Sequence, residues 1–341
     1  MTMTNNQFKE LHITQFDRLN RLKVKNFLVS QGLEFDEGVQ YTIAIFDDDN
    51  LIATGSMDEN VLKCIAVAER YTGLALTNKI VSGLINEQYS RGFEHIFVYT
   101  KPDNERIFAD LGFYKIMEVP KQVLLLENKA NGVANFADRL SKDKVAGAKI
   151  AGLVMNCNPF TNGHQHLIEV ASKANDAVHV FVVATDRSQF SFADRIKLVQ
   201  LGTQAFDNVY IHEGGKYLIS VATFPSYFLK DDKKVVTAHA ELDVHIFAKY
   251  IAPALQINAR YVGEENSCAL TAKYNEIMAK ILPTYNINTI EIPRLAKGAI
   301  SISASHVRRL LKEEKFDQIK EIVPKTTYDY LVAQSSGRWD R

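Results

Sequence analysis

Apolar and polar positions along this chain follow two periods, and those periods predict its elements. Short β-prone runs occupy 41–46 (Tyr-Thr-Ile-Ala-Ile-Phe), 51–56, 63–67 and 95–100. The acidic turn Asp47-Asp48-Asp49-Asn50 between the first two predicts a hairpin. Residues 73–90 set Leu76, Ile80, Leu84 and Ile85 at helical spacing. A shorter helix is predicted over 104–110, stopped at Gly112, with a closing strand over 122–126. From residue 149 onward the alternation is regular. Strands over 149–155, 178–184, 209–212, 260–263 and 289–292 interleave with helices over 164–174, 192–203, 241–250 and 272–281, and a helical tail opens at 303–311. The run 178–184 is almost continuously apolar, as in a strand covered on both faces. Such alternation predicts a parallel sheet with right-handed crossovers and ligands at the carboxyl ends of its strands.

The 341 residues suggest two domains, and with 46% apolar residues each half can bury a core. Between the two patterns the composition changes: Asn128, Lys129, Asn131, Gly132, then Ser141 to Lys144 and Gly147. The division expected is a first domain over 1–130, a linker over 131–147 and a second domain over 148–341. Lys+Arg and Asp+Glu are 40 each, which argues against a nucleic-acid coat or an anionic-membrane binder but leaves room for a local anion site. No run approaches 18 apolar residues, and the polar Met1-Thr-Met-Thr-Asn-Asn start lacks the pattern of a signal peptide. Cys64, Cys157 and Cys268 are widely spaced, so neither a disulfide framework nor a cysteine zinc site is expected, and a reducing cytoplasm fits.

Candidate chemistry gathers where the second domain's first strand meets its helix: Met155-Asn156-Cys157-Asn158-Pro159-Phe160-Thr161-Asn162-Gly163-His164. Pro159 and Gly163 shape a tight loop, and a helix start offers free N–H groups and partial positive charge. His164, at that terminus, can hydrogen-bond or charge-pair with a phosphate; the plainer alternative is a helix cap with a surface histidine. Neither a Walker loop nor a G-x-G-x-x-G fingerprint is present. His166 makes a His-x-His pair, but residues two apart on a helix do not share a face, so a helix-surface or nucleotide-contacting role is favoured and no protein-held metal is predicted. Cys157 reads as a buried structural thiol.

A second cluster follows far along the chain: Ile302-Ser303-Ala304-Ser305-His306-Val307-Arg308. Ser303 is a good N-cap, Ser305 lies in the first turn, and Arg308 stands three residues beyond it on the same face. Two hydroxyls, first-turn amides and a guanidinium can surround one anion; an ordinary Ser-capped helix with a solvated Arg is the alternative. Phe190-Ser191-Phe192 with Asp194-Arg195 either covers a nucleotide or forms a buried aromatic pair beside a helix start. In the first domain, Arg70-Tyr71-Thr72-Gly73-Leu74-Ala75 follows a strand and opens a helix.

Thr161 to His164 resembles the T-x-G-H signature of the nucleotidylyltransferase superfamily, and Ile302 to Arg308 resembles its I-S-x-S-x-x-R signature. Arg70 to Ala75 resembles the coenzyme A pyrophosphate loop of GNAT-type acetyltransferases, and Asn104 to Tyr114 resembles that family's last helix and turn. The fold class implied is α/β, with an N-terminal GNAT-like mixed α/β domain followed by a Rossmann-like parallel nucleotidylyltransferase domain. That order, with Asn158 to His164, Phe190 to Arg195 and Arg260-Tyr261-Val262-Gly263-Glu264-Glu265, resembles the citrate lyase ligase family over essentially the whole chain, most strongly over 149–311.

The resemblance implies an AMP-forming ligase. Acetate attacks the α-phosphorus of Mg·ATP, giving acetyl-adenylate and pyrophosphate. The thiol of a dephospho-coenzyme-A-like prosthetic group on the citrate lyase acyl carrier subunit then takes the acetyl group and releases AMP. ATP and Mg2+ are the implied cofactors, with Mg2+ held mainly through phosphates and water. His164 is expected to stabilise charge at the α-phosphate, Thr161 to help bind the triphosphate, and Ser303, Ser305 and Arg308 to hold the leaving pyrophosphate. Asn158, Pro159, Phe160, Gly163 and His166 complete the expected ATP site, with Asn158 near acetate or ribose. Glu264 and Glu265 contact adenosine or Mg2+, or are exposed loop acids. Arg70, Gly73 and Ala75 are expected to hold the prosthetic group's pyrophosphate. The rival readings are an adenylyltransferase that forms a dinucleotide cofactor, an acetyltransferase whose second half senses nucleotide, and a non-catalytic regulator.

Overall fold

Lys9–Thr14 (β1) lies antiparallel to Tyr41–Asp47 (β2), and Arg18–Ser30 (α1) connects them in the computed structural model, which describes residues 8–184, 188–218, 232–265, 269–297 and 300–335. Cys268 and residues 1–7, which include the polar start, lie outside the described residues. The anticipated hairpin forms: β2 pairs with Asn50–Asp58 (β3), and β3 turns into Val61–Val67 (β4). Leu76–Ser90 (α2) leads to Phe97–Thr100 (β5), Glu105–Ala109 (α3), Tyr114–Val119 (β6) and Val123–Glu127 (β7). The seven strands run in the order β1-β2-β3-β4-β5-β7-β6, and all pairs are antiparallel except β4 with β5. That parallel pairing covers only Val61–Phe97 and Leu62–Val98. β4 then continues five residues without β5, so the two strands part toward their carboxyl ends.

α2 lies on one face of this sheet because its apolar stripe, Leu76, Ile80, Val81 and Leu84, joins Ile43, Ile45, Met57, Val98, Leu124 and Leu126 in one core. Gly55 makes the close approach possible, since a Cβ there would stand 2.4 Å from Ile80 Cγ2. β1, α1 and β6 were not anticipated. α1 hides its helical period because Leu19, Leu22 and Val29 stay exposed while Val24, Phe27 and Leu28 are buried, so apolar residues appear on both faces. Asp17 starts it, its Oδ1 accepting from Asn20 N at 3.1 Å.

The chain divides between Val133 and Ala134 into two compact units, built chiefly from the residues on either side. Residues 131–147 hold a helix, Gly132–Leu140 (α4), and a single 3-10 turn, Ser141–Asp143. Val133, Phe136 and Leu140 recur at helical spacing and are buried, and the Phe136 ring packs against Tyr217 at 5.0 Å.

In the second unit Ile150–Met155 (β8), Asn162–Ala174 (α5), Ala177–Val182 (β9), Phe192–Thr203 (α6) and Val209–Glu213 (β10) form two successive β-α-β turns. Asp232–Ile246 (α7), a π-helical turn Phe247–Ile251 and Ala252–Leu255 (α8) lead to Ala259–Gly263 (β11), Ala269–Ile281 (α9) and Asn288–Ile292 (β12). A small hairpin, Ala296–Lys297 (β13) with Ile300–Ser301 (β14), precedes Ala304–Lys312 (α10), Phe316–Lys320 (α11) and Lys325–Ser335 (α12). The five-stranded sheet is wholly parallel, ordered β10-β9-β8-β11-β12. The expected fold class therefore holds: a mixed α/β unit with a splayed parallel pair, then a Rossmann-like parallel unit. The order reverses at β8, whose neighbours are β9 and β11, and in open parallel sheets a crevice forms outside the strand ends at that switch point. One face of the sheet (Leu153, Met155, Val180, Val182, Tyr261) shares its core with Phe160, Ile302, Val307 and Leu310, so the later helices close over the same edge.

Candidate active site

The loop after β8 enters the switch point and is pinned from two sides. Its Asn158–Pro159 peptide is cis, and Asn158 Oδ1 accepts from Phe190 N at 3.2 Å. Arg195 on α6 is wholly buried. Its Nη1 donates to Asn156 O (2.8 Å), Asn156 Oδ1 (2.9 Å) and Val183 O (2.8 Å), and its Nε donates to Phe190 O at 3.2 Å. A buried guanidinium without such acceptors would be costly. Arg195 therefore staples the loops after β8 and β9 together from inside the protein. Within the Phe190 to Arg195 stretch, Phe190 and Arg195 are buried, Phe192 packs half-buried against the same core, and Ser191 is exposed.

α5 then begins with a reciprocal cap. Thr161 Oγ1 accepts from His164 N at 3.3 Å, and His164 Nδ1 accepts from Thr161 N at 3.1 Å while lying 3.0 Å from Thr161 Oγ1. A histidine thus occupies the position that Glu or Gln takes in a capping box. Because Nδ1 accepts, the neutral ring carries its proton on Nε2. Burial, and then the positive charge of Arg294, lower the His164 pKa from 6.5 to about 4. At neutral pH His164 is an uncharged donor at Nε2, fixed in orientation by its own helix start.

Phe160 supports the imidazole from within the core. It is fully buried, and its ring stacks on His164 at 5.8 Å and 17°. A Cβ on Gly202 would stand 2.4 Å from the same ring, so α6 is pressed directly against it. Phe160, Pro159 and Thr161, all assigned to the nucleotide or its phosphates from the sequence, are buried here. Phe160 and Thr161 act on the loop's shape, because a packed ring and a hydroxyl already accepting a helix N–H have their partners inside the protein. Cys157 is buried and free, and burial raises its pKa, in keeping with a structural thiol. His166 is half-buried one turn before Glu169, and among the described residues no group of three or more His, Cys, Asp or Glu is placed to hold a metal ion.

The second cluster meets the first across 150 positions of sequence. Arg308 Nη1 donates to Asn158 O at 2.6 Å. Gly163 lies against Ile302: a Cβ there would stand 3.2 Å from Ile302 O, tighter than most side chains tolerate. Ser303 is the N-cap of α10, as its position implied, with its Oγ accepting from His306 N at 3.2 Å. The exposed Ser305 lies beside it, hydroxyl oxygens 3.0 Å apart. His164, Gly163, Asn158, Ser303, Ser305 and Arg308 thus share one edge of the parallel sheet.

The segment after β11 resolves the two acids differently. Glu265 is buried and ion-pairs with Arg294, so it is not an exposed loop acid. Glu264 is half-exposed; its N–H donates to Ile292 O at 2.8 Å and its carbonyl accepts from Arg294 Nε at 2.7 Å. Arg294 went unnoticed in the sequence. The available signal was a lone cation two residues past a predicted parallel strand, at the ligand-bearing edge.

In the first unit, Arg70, Gly73 and Ala75 lie exposed between β4 and α2. Gly73 and Ala75 both take left-handed backbone, φ 83° and 55°, and Ala75 caps α2 without any side-chain hydrogen bond. Arg70 stacks on Tyr71, its Nη2 donating to the Tyr71 hydroxyl at 2.5 Å, and that hydroxyl donates to Asp47 Oδ2 at 2.6 Å.

A parallel sheet with a T-x-G-H helix start at its switch point, met by a serine–arginine cluster, defines the second unit as nucleotidylyltransferase-like. The family model for the citrate lyase ligase C-terminal domain matches residues 150–331. Over nearly the full chain the protein is similar to the citrate (pro-3S)-lyase ligases of Escherichia coli strain K12 (39% identity; 91% of this chain and 89% of that one), Haemophilus influenzae (37%; 95% and 100%) and Klebsiella pneumoniae (36%; 93% and 94%). The chain belongs to the citrate lyase ligase family, and it is a ligase.

Proposed function

We propose that this ligase activates acetate at the expense of ATP and passes the acetyl group to the thiol of the citrate lyase acyl carrier subunit. The observation that carries the reading is the joining of the two clusters, Arg308 Nη1 on Asn158 O, beside a neutral His164 with its proton on Nε2. An acetate oxygen attacks the α-phosphorus, the bond to the β-phosphate bridging oxygen breaks, and pyrophosphate leaves. The carrier thiol then attacks the acyl carbon and AMP leaves with the carboxyl-derived oxygen. Neither step needs a protein nucleophile; positioning and charge stabilisation suffice. His164 Nε2–H donates to an α-phosphate oxygen as its charge grows. Ser303, Ser305, Arg308 and the first-turn amides of α10 hold the pyrophosphate. Asn158 and Gly163 shape the floor, and His166 and Glu264 border it. Mg2+ would be held mainly through the triphosphate oxygens and water rather than by protein ligands, and would neutralise triphosphate charge there.

In the first unit, Arg70 and the backbone at Gly73 and Ala75 hold the pyrophosphate of a dephospho-coenzyme-A-like arm. Two features favour this: a helix start without a side-chain cap and left-handed backbone at Gly73 and Ala75 on an exposed loop. In this reading the two units have separate tasks, the arm for one and the adenylate for the other.

The test is pyrophosphate–ATP exchange with Mg2+ and no carrier present. Exchange that depends on acetate is the expected result. Exchange that instead requires a phosphorylated cofactor precursor points to a dinucleotide-forming adenylyltransferase and overturns the reading.

A further inference from the structure

We propose that Arg294 is an additional contact for the ATP phosphates, and that Glu264 and Glu265 serve to aim it. This rests on the reading of the second unit as an ATP site. Arg294 stands two residues past the end of β12, on the same carboxyl edge as the His164 loop. A short relay of backbone contacts fixes its place. Leu295 O accepts from Ile302 N at 3.0 Å, and Ile302 O lies 3.2 Å from where a Cβ of Gly163 would be. The residue next to Arg294 is thus tied to the start of the serine cluster, and that start is seated on the residue next to His164.

The guanidinium is held in a fork. Nε donates to Glu264 O at 2.7 Å, and Nη2 pairs with the Glu265 carboxylate. Glu265 is nearly sealed from solvent, with its side chain 5% exposed, while that of Arg294 is 29% exposed. Burying a carboxylate costs desolvation free energy that an apolar pair would not incur, so such a pair is poorly explained by stability alone. Its geometry suits a different purpose: a buried carboxylate and a carbonyl lock two nitrogens of a planar cation whose remaining surface reaches solvent. Arg294 is also the charge that acts on the His164 ring, in addition to burial. A fixed cation beside a fixed neutral donor, at a sheet edge already carrying Arg308, Ser303 and Ser305, is a combination suited to a polyanion. Burial first, and then this cation, disfavour the protonated imidazole and so preserve Nδ1 as the acceptor in the α5 cap.

Arg294→Gln, Arg294→Lys and Glu265→Gln would be compared with the unaltered protein by direct ATP titration, by acetate-dependent exchange and by the pH profile of that exchange. Arg294→Gln is expected to lower exchange by about 10²-fold, the usual cost of one donor to developing charge, and to weaken ATP binding. It is also expected to move the acidic limb to higher pH, because the ring loses a repelling charge. Arg294→Lys keeps the charge without the fork and should retain the acidic limb while losing about tenfold in exchange. Glu265→Gln should resemble Arg294→Lys, since the cation stays but its aim loosens. Arg294→Gln with ATP binding, exchange and pH profile all unchanged overturns the proposal. So does a loss of activity with ATP affinity and acidic limb unmoved, which marks a merely structural role. If the unaltered protein binds ATP but shows no acetate-dependent exchange, the acid assignment fails; weaker ATP binding by Arg294→Gln would then still support the contact.

Discussion

At the start of α5 the cap and first-turn amides Thr161 N and His164 N are answered from inside the protein, by the His164 ring and the Thr161 hydroxyl respectively. At the start of α2 they are not: Ala75 offers no side-chain cap, and Thr72 turns its hydroxyl back to Glu69 O at 2.7 Å. Both helices follow a strand through a short loop and both are candidates for phosphate chemistry. The first is a device that orients one imidazole; the second leaves backbone donors open on an exposed loop. The contrast teaches what each can do. A rigid side-chain donor aimed at one atom suits charge that develops during a reaction. An uncapped helix start with left-handed residues suits a pyrophosphate that is held and does not react.

The widest separation between the two is expected from His164→Ala. It should lower acetate-dependent exchange by about 10² to 10³-fold, the range for losing a donor to developing charge. His164→Gln, which retains a donor but not the ring, should fall between. Equal exchange in His164→Ala and the unaltered protein would erase the distinction from the α5 side.

A smaller effect tests the α2 side. Arg70→Ala should raise the KM for the carrier by about tenfold, the order expected from losing one charge-assisted hydrogen bond. Pyrophosphate–ATP exchange without carrier should be unchanged. If both activities fall together, the units do not divide the work.

The difference also explains what could be read in advance. The α5 loop and α10 were legible because their caps are local: Thr161 and Ser303 stand at recognisable spacings from His164 and Arg308. The strand–helix alternation of the second unit was legible because buried parallel strands are continuously apolar. What stayed hidden depends on tertiary partners. Arg195, a buried staple, shows nothing of its burial in the sequence, and Arg294, held by Glu265, offers only its place two residues past a strand, since an arginine that follows or opens an element looks solvated until the opposing loop is known. α1 stayed hidden because exposed Leu19, Leu22 and Val29 blur its period. Phe160 sits within the motif as a candidate contact, yet only the approach of Gly202 reveals it as the ring beneath His164.

The smallest expected effect concerns pH, and it again separates the two helix starts. His164 has a folded pKa of about 4 against 6.5 for an ordinary histidine. Between those values the unfolded chain binds more protons than the folded one, so stability rises with pH there and is lost as pH falls from 6.5 toward 4. Below about 4 both states are protonated and this contribution stops changing. His179, His212 and His245 are lowered by burial as well and act with the same sign, so the informative quantity is the difference between two proteins. His164→Gln should show a shallower fall of Tm over pH 6.5 to 4 than the unaltered protein, by no more than one proton's share of the slope. Arg70→Ala should leave the fall unaltered, because the Arg70 pKa is raised further above its already high value and the group does not titrate in that window. Thermal melts at half-unit steps would check both. An unchanged slope in His164→Gln would mean that the folded imidazole takes up its proton as the unfolded chain's does, and the reciprocal cap that orients it at α5 would have to be abandoned.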